Sequence, residues 1–120
     1  MPPATQTAQA IEADPVAAYA AHHTPESADG LRRKVPEHMQ AGMVRYILLG
    51  IIPGSFLSAV LEGDLFNAVR RADDANRAAL HDYAIFLFNY APGGCFGSED
   101  RLRAWSHDGG LIGILEGRAA

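Results

Sequence analysis

The chain has 120 residues, 48% of them hydrophobic, with a formal charge of −4 and a pI near 5.6. That length holds one domain with one modest core, and the acidic balance argues against a general binder of nucleic-acid backbones, which needs a basic footprint. One cysteine, Cys95, excludes an intramolecular disulfide, and the longest apolar run, Tyr46 to Pro53, is too short to span a bilayer.

The first residues, MPPATQTAQAIEADP, lack a positive region followed by an apolar one, so no secretory signal is expected and a cytoplasmic location is the simplest reading. Residues 1–35 are rich in Ala, Thr and Pro. Asp14-Pro15 followed by VAAYAAHH reads as a short helix, with Asp14 as cap and Pro15 as its first residue. Only Val16 and Tyr19 are available to anchor it, and a short isolated helix is marginal in water. Residues 1–35 are therefore expected to form a mobile or weakly docked arm. TPESADGLRRK reads as its polar linker.

The helical domain is expected over 36–116, with 117–120 as a tail. Pro36 suits a first helical turn. Met39, Met43, Tyr46, Ile47 and Gly50 then fall at three- and four-residue spacings, which predicts one stripe of an amphipathic helix. Gly50 can close that helix in the left-handed conformation. Pro53-Gly54 marks a turn, and Ser55 is the expected cap of a second helix that ends at Gly63.

Asp64 caps a short third helix, DLFNAVRRA, with Leu65, Ala68 and Val69 expected inside and Arg70-Arg71 suited to its C-terminal end. Asp73 and Asp74 open the longest helix, running to about Tyr90. Its AIFLF stretch, residues 84–88, is apolar nearly all round, so it is surrounded by other helices or covered by a partner. Pro92-Gly93-Gly94 breaks it. Ser98 starts a helix carrying Leu102 and Trp105, Gly109-Gly110 close it, and LIGIL follows. The expected fold is all-α, a compact bundle of about five short-to-medium helices.

Catalytic patterns are sparse. His22 and His23 are adjacent and point about 100° apart on a helix. His38 follows Glu37 and His81 precedes Asp82, but no HExxH or Cys/His pairing exists. No metal and no cofactor is therefore expected. Cys95, in the glycine-rich PGGCFGS turn, is the single nucleophile worth weighing, since a helix N-terminus lowers a thiol pKa. Against that, Ser98 is the expected cap, no His lies nearby in sequence, and Phe96 suggests that the pair plugs the core. The GGCFG loop lacks the Lys of a phosphate-binding P-loop.

Binding is the stronger reading. Glu62, Asp64, Asp73 and Asp74 lie close in sequence, with Asp82 beyond them. Most have a capping explanation, and Arg70, Arg71 and Arg77 are available to pair with them across a turn. Together they form a candidate charged rim for a partner with a basic surface. Phe86 and Phe88 on one helix cannot both face one narrow core, so one of them, taken as Phe88, is expected under a partner or a second copy.

The elements VPEHM, RYILLG, PGSFLSAVLEGDL, the RADDAN turn, FLFNYAP and GSEDRLRAW before Gly109-Gly110 follow in that order over about two thirds of the chain. They resemble a family of small uncharacterised proteins encoded in phage and prophage genomes. Such families usually have Trp before the Gly-Ser where this chain has Phe96, and the arm before Val35 has no counterpart. No catalytic residue transfers from the family. The resemblance implies a host-cell setting and a non-enzymatic protein that binds and blocks a host protein complex, an anti-CRISPR inhibitor being the sharpest form. Direct nucleic-acid binding and a membrane role are not expected. A structural or accessory protein that self-associates through the Phe86/Phe88 face as a homodimer, a small enzyme using Cys95 or a histidine, and a transcriptional regulator built on GSEDRLRAW are the rival readings. Acids at the start of that helix speak against a recognition helix.

Overall fold

A computed structural model describes residues 3–117, and all regular structure among them is helical. Ten α-helices follow one another: α1 (Pro3–Ala13), α2 (Pro15–His22), α3 (Pro25–Lys34), α4 (Glu37–Leu49), α5 (Ser55–Glu62), α6 (Leu65–Arg71), α7 (Asp74–Ala78), α8 (Leu80–Tyr90), α9 (Glu99–His107) and α10 (Gly110–Leu115). A 3₁₀ turn at Gly93–Cys95 precedes α9. The all-α class stands as read from the sequence, but the count of about five is too low.

The expected punctuation accounts for many of the boundaries. Asp14 accepts a hydrogen bond from the Ala17 amide at 3.1 Å, with Pro15 at the first helical position. Asp64, Asp73 and Ser98 do the same for Asn67, Asn76 and Arg101. Each carboxylate or hydroxyl satisfies an amide that has no partner inside its helix. Gly50 and Gly63 close α4 and α5 with φ of 74° and 77°. One cap differs: α5 is preceded by Gly54, and Ser55 already lies inside the helix without a capping bond.

The largest correction concerns the first 35 residues. They hold three helices, and the segment read as a linker is α3, capped by Thr24, whose hydroxyl accepts from the Ser27 amide at 3.0 Å. Ile11, Tyr19 and Leu31 are fully buried. α2 packs on α3 and α4, α1 packs on α2 and α4, and α3 lies along α8. The packing shows no break at residue 35. The radius of gyration, 13.3 Å, matches the roughly 13–14 Å of a compact chain this long, which leaves no extended arm among the described residues. Arg32 and Arg33 pair with Asp29 on one side of α3, while Ala28 and Leu31 face the core. The helix thus hides a narrow apolar stripe behind a polar sequence.

α4 runs through the centre. Met43, Val44, Tyr46, Ile47 and Leu48 are all fully buried, so it contacts neighbours on most sides. Two buried donors tie the last third of the chain to it. The Tyr46 hydroxyl donates to the Cys95 carbonyl at 2.6 Å, and the Trp105 indole N–H donates to the Tyr46 and Ile47 carbonyls at 3.2 and 3.1 Å. At its C-terminal end α4 meets α10 backbone to backbone: a Cβ on Gly110 would stand 2.5 Å from the Gly50 nitrogen.

The expected long helix from Asp73 to Tyr90 is broken at Ala79. The Ala79 amide is shared between the carbonyls of Ala75 and Asn76, a tightened turn of the 3₁₀ kind. Asn76 is buried there and accepts from the Tyr83 hydroxyl at 2.8 Å, an arrangement that spacing alone does not announce.

Candidate protein-interaction surface

The helix α6 is seven residues long and buries only Ala68. Leu65 and Val69, expected inside, are 62% and 38% exposed, and Phe66 is 86% exposed. Leu65 and Ala68 are three apart and share one row of the helix. Phe66 and Val69 share the next. The inner row closes a groove of about 380 Å³ whose walls come from α5, α6, α8 and the turn at Phe96-Gly97, including Val60, Leu80, Ala84, Leu87 and Phe88. The outer row stands beside it in solvent. A bond from the Gly97 amide to the Leu61 carbonyl, 2.8 Å, fastens the turn to the end of α5.

The choice between Phe86 and Phe88 is resolved by geometry. Phe86 is fully buried, against Tyr19 and Tyr90, whereas Phe88 is 78% exposed. Residues two apart on a helix point about 200° from each other, so burying one turns the other out. Phe88 meets Phe96 edge to face with centroids 5.5 Å apart, which holds its ring in place at the groove. Phe66 is the prominent residue that reading the sequence missed. The signal was present: LFNAV puts apolar residues at positions that cannot all face one neighbour.

The acids sit around the molecule in separate roles. Asp64 lines the groove, and its hydrogen bonds from the Asn67 side chain and amide hold its carboxyl below the usual range. Glu62 lies near enough to Arg103 to favour the guanidinium charge, behind the larger effect of Glu99. Asp73 caps α7 and turns its other oxygen to His38 Nε2 at 3.1 Å. The Asn76 amide, with His38 adding to it, holds that carboxyl low. Asp74 pairs with Arg77 at 3.1 Å on an open surface. Asp64 thus lines the apolar groove and Glu62 lies toward Arg103, while Asp73 and Asp74 serve α7.

Two further concavities lie elsewhere among the described residues. A cleft of about 800 Å³ between the α1–α2 junction and the ends of α3 and α4 is lined by Arg32, Arg33 and Lys34, but also by Glu12, Asp14, Glu37 and Asp82. Its cations are already paired, Arg32 and Arg33 with Asp29 and Lys34 with Asp82 at 3.8 Å, so it carries little field for an anion. A third, near Ile51 and Ile52, is bordered by Met39, Arg45 and Leu57.

Cys95 is fully buried, and burial pushes its thiol up to about 12. The nucleophilic form is the thiolate, and burial of this kind disfavours it. Among the histidines, His22, His81 and His107 are exposed, His38 pairs with Asp73, and His23 stacks flat on Tyr19 with centroids 5.3 Å apart. Among the described residues no three His, Cys, Asp or Glu side chains are grouped as metal ligands, and no helix is long and apolar enough to cross a membrane. No family model, curated protein or solved structure matches the chain.

Proposed function

We propose that this protein works by binding another protein, without chemistry of its own, and that the groove between α5, α6 and α8 is its working surface. The observation that carries this is the exposure of Phe66 and Phe88, 86% and 78%, beside an apolar groove. Exposed aromatics clustered with other apolar side chains mark interaction sites, and aromatic anchors dominate binding energy. Asp64 gives the groove an acidic edge, which suits a partner whose apolar contact is flanked by Lys or Arg.

In its sharpest form the partner is a host protein complex that the bound protein blocks, with a CRISPR effector as the leading case. This rests on the resemblance of VPEHM, PGSFLSAVLEGDL and GSEDRLRAW to phage and prophage proteins. The test is a pull-down of the tagged protein from a bacterial host lysate, run beside Phe88→Asp. Stoichiometric recovery of a defence complex by the wild type, lost in the variant, supports the reading. Equal recovery by both, or recovery of bait alone, rejects it.

A further inference from the structure

The groove has a feature that a surface built only for an unrelated partner does not need: a side chain of the size to fill it projects from its own border. Knob and hole lie side by side. Phe66 projects from the outer row of α6, and the groove opens along the inner row of the same helix. A two-fold contact demands this arrangement, because each copy must offer both the inserted side chain and the cavity that receives it.

Charge follows the same rule. α6 is capped by Asp64 and ends at Arg70-Arg71, both arginines exposed, with Arg70 donating to the Asn67 side-chain oxygen at 2.9 Å. Across a helix of seven residues the two ends are separated by about 10 Å, with Leu65, Phe66 and Val69 between them. Laid antiparallel on a second copy, the acidic end of each α6 meets the basic end of the other, twice over, and the apolar middle meets itself. Parallel stacking would oppose like charges.

We propose that in the free protein the groove is filled by a second copy of this chain, with α6 paired antiparallel on α6 and Phe66 of each copy seated among Leu65, Leu87 and Phe88 of the other. The proposal rests on reading the groove as a protein-binding surface. It adds a competition, since a host partner bound at the groove must first displace the second copy.

The test is sedimentation velocity on the purified full chain across a wide concentration range, with circular dichroism as the check on folding. The wild type is expected to shift with concentration from 12.9 kDa to twice that mass. Phe66→Asp is expected to remain monomeric throughout with an unchanged helical spectrum, since the side chain is exposed. Asp64→Asn keeps a good helix cap while removing the charge. It and Arg70→Glu/Arg71→Glu are each expected to raise the dimer dissociation constant about three- to tenfold, the size of exposed ion pairs counted twice by symmetry. A wild type that stays monomeric at every concentration overturns the proposal, as does a dimer indifferent to Phe66→Asp. A monomeric wild type that still loses its host complex in Phe88→Asp would overturn self-pairing while leaving the proposed function standing. A dimer broken by Phe66→Asp in a protein that captures no host complex would do the reverse.

Discussion

Gly30 lies against the face of the Tyr90 ring so closely that a Cβ at position 30 would stand 2.3 Å from the ring's Cγ. The ring is held from several directions. Its hydroxyl accepts from the Arg33 guanidinium at 3.1 Å, which also lies over the ring, 5.6 Å from the centroid. The Tyr90 carbonyl accepts from the buried Tyr19 hydroxyl. α2, α3 and α8 are joined at this point, so the N-terminal helices belong to the core.

Gly30→Ala tests that junction. Alanine is the better helix former by about 1 kcal/mol, so on an open helix the change would stabilise. Here the added methyl has no room unless the ring moves, and overpacking costs about 1–3 kcal/mol. Urea unfolding should show a lower midpoint with an unchanged slope. A midpoint at or above that of the wild type would mean that Tyr90 yields freely and that the α3–α8 contact is loose.

Tyr46→Phe probes the tie between α4 and the turn before α9. The substitution keeps the ring and removes the donor to the Cys95 carbonyl, which lies in a buried setting. An acceptor left without its partner costs about 1–3 kcal/mol. The expected result is a loss of that size in denaturant unfolding, with helical content retained. A change within measurement error would show that water reaches the carbonyl.

High pH should unfold the protein before strong alkali does so by other means. Burial raises the acids of Tyr19, Tyr46 and Tyr83 well above their ordinary value, and the Cys95 thiol to about 12. The unfolded chain releases these protons above about pH 9–10, while the folded chain retains them. The native state therefore binds more protons in this window, and stability falls as pH rises. Below the unfolded values both states are protonated and the stability is fully present. It is lost as pH climbs toward the folded values, at about 1.4 kcal/mol per pH unit for each such group. Thermal melts from pH 8 to 11 should show a falling midpoint that steepens above 9. A flat profile to pH 11 would mean that these groups ionise in place.

Sequence punctuation carried most of the helix boundaries because capping is local. Asp14, Asp64, Asp73 and Ser98 act on amides three residues away, and Gly50 and Gly63 act on their own φ. What could not be read depends on distant partners. Α3 reads as polar linker because its buried stripe is only Ser27, Ala28, Gly30 and Leu31, and Gly30 fits a helix here because Tyr90 comes to meet it. The exposure of Leu65 and Val69 has the same origin: α6 is short and touches the core through Ala68 alone, so apolar residues that look internal by spacing have nothing to cover them. Phe88 was legible because Phe86 competes for the same core, whereas Phe66 was legible only as one of several apolar residues in LFNAV that cannot all face one neighbour.

Cys95 offers the sharpest check on whether the glycine-rich turn is structural. Its sulfur is fully buried and its thiol is held protonated to about 12, so an aromatic disulfide reagent at pH 8 must wait for the turn or the whole domain to open. Labelling in native buffer should run about 10³-fold or more slower than in urea, the ratio that marginal stability allows. Tyr46→Phe should speed it, because the hydrogen bond lost from the Cys95 carbonyl is one that holds the turn shut. If that variant loses stability but labels no faster relative to its own unfolding equilibrium, the turn opens only with the whole domain. Rapid stoichiometric labelling of the folded wild type would instead mean an accessible thiolate, and a nucleophilic role for Cys95 would then take precedence over binding.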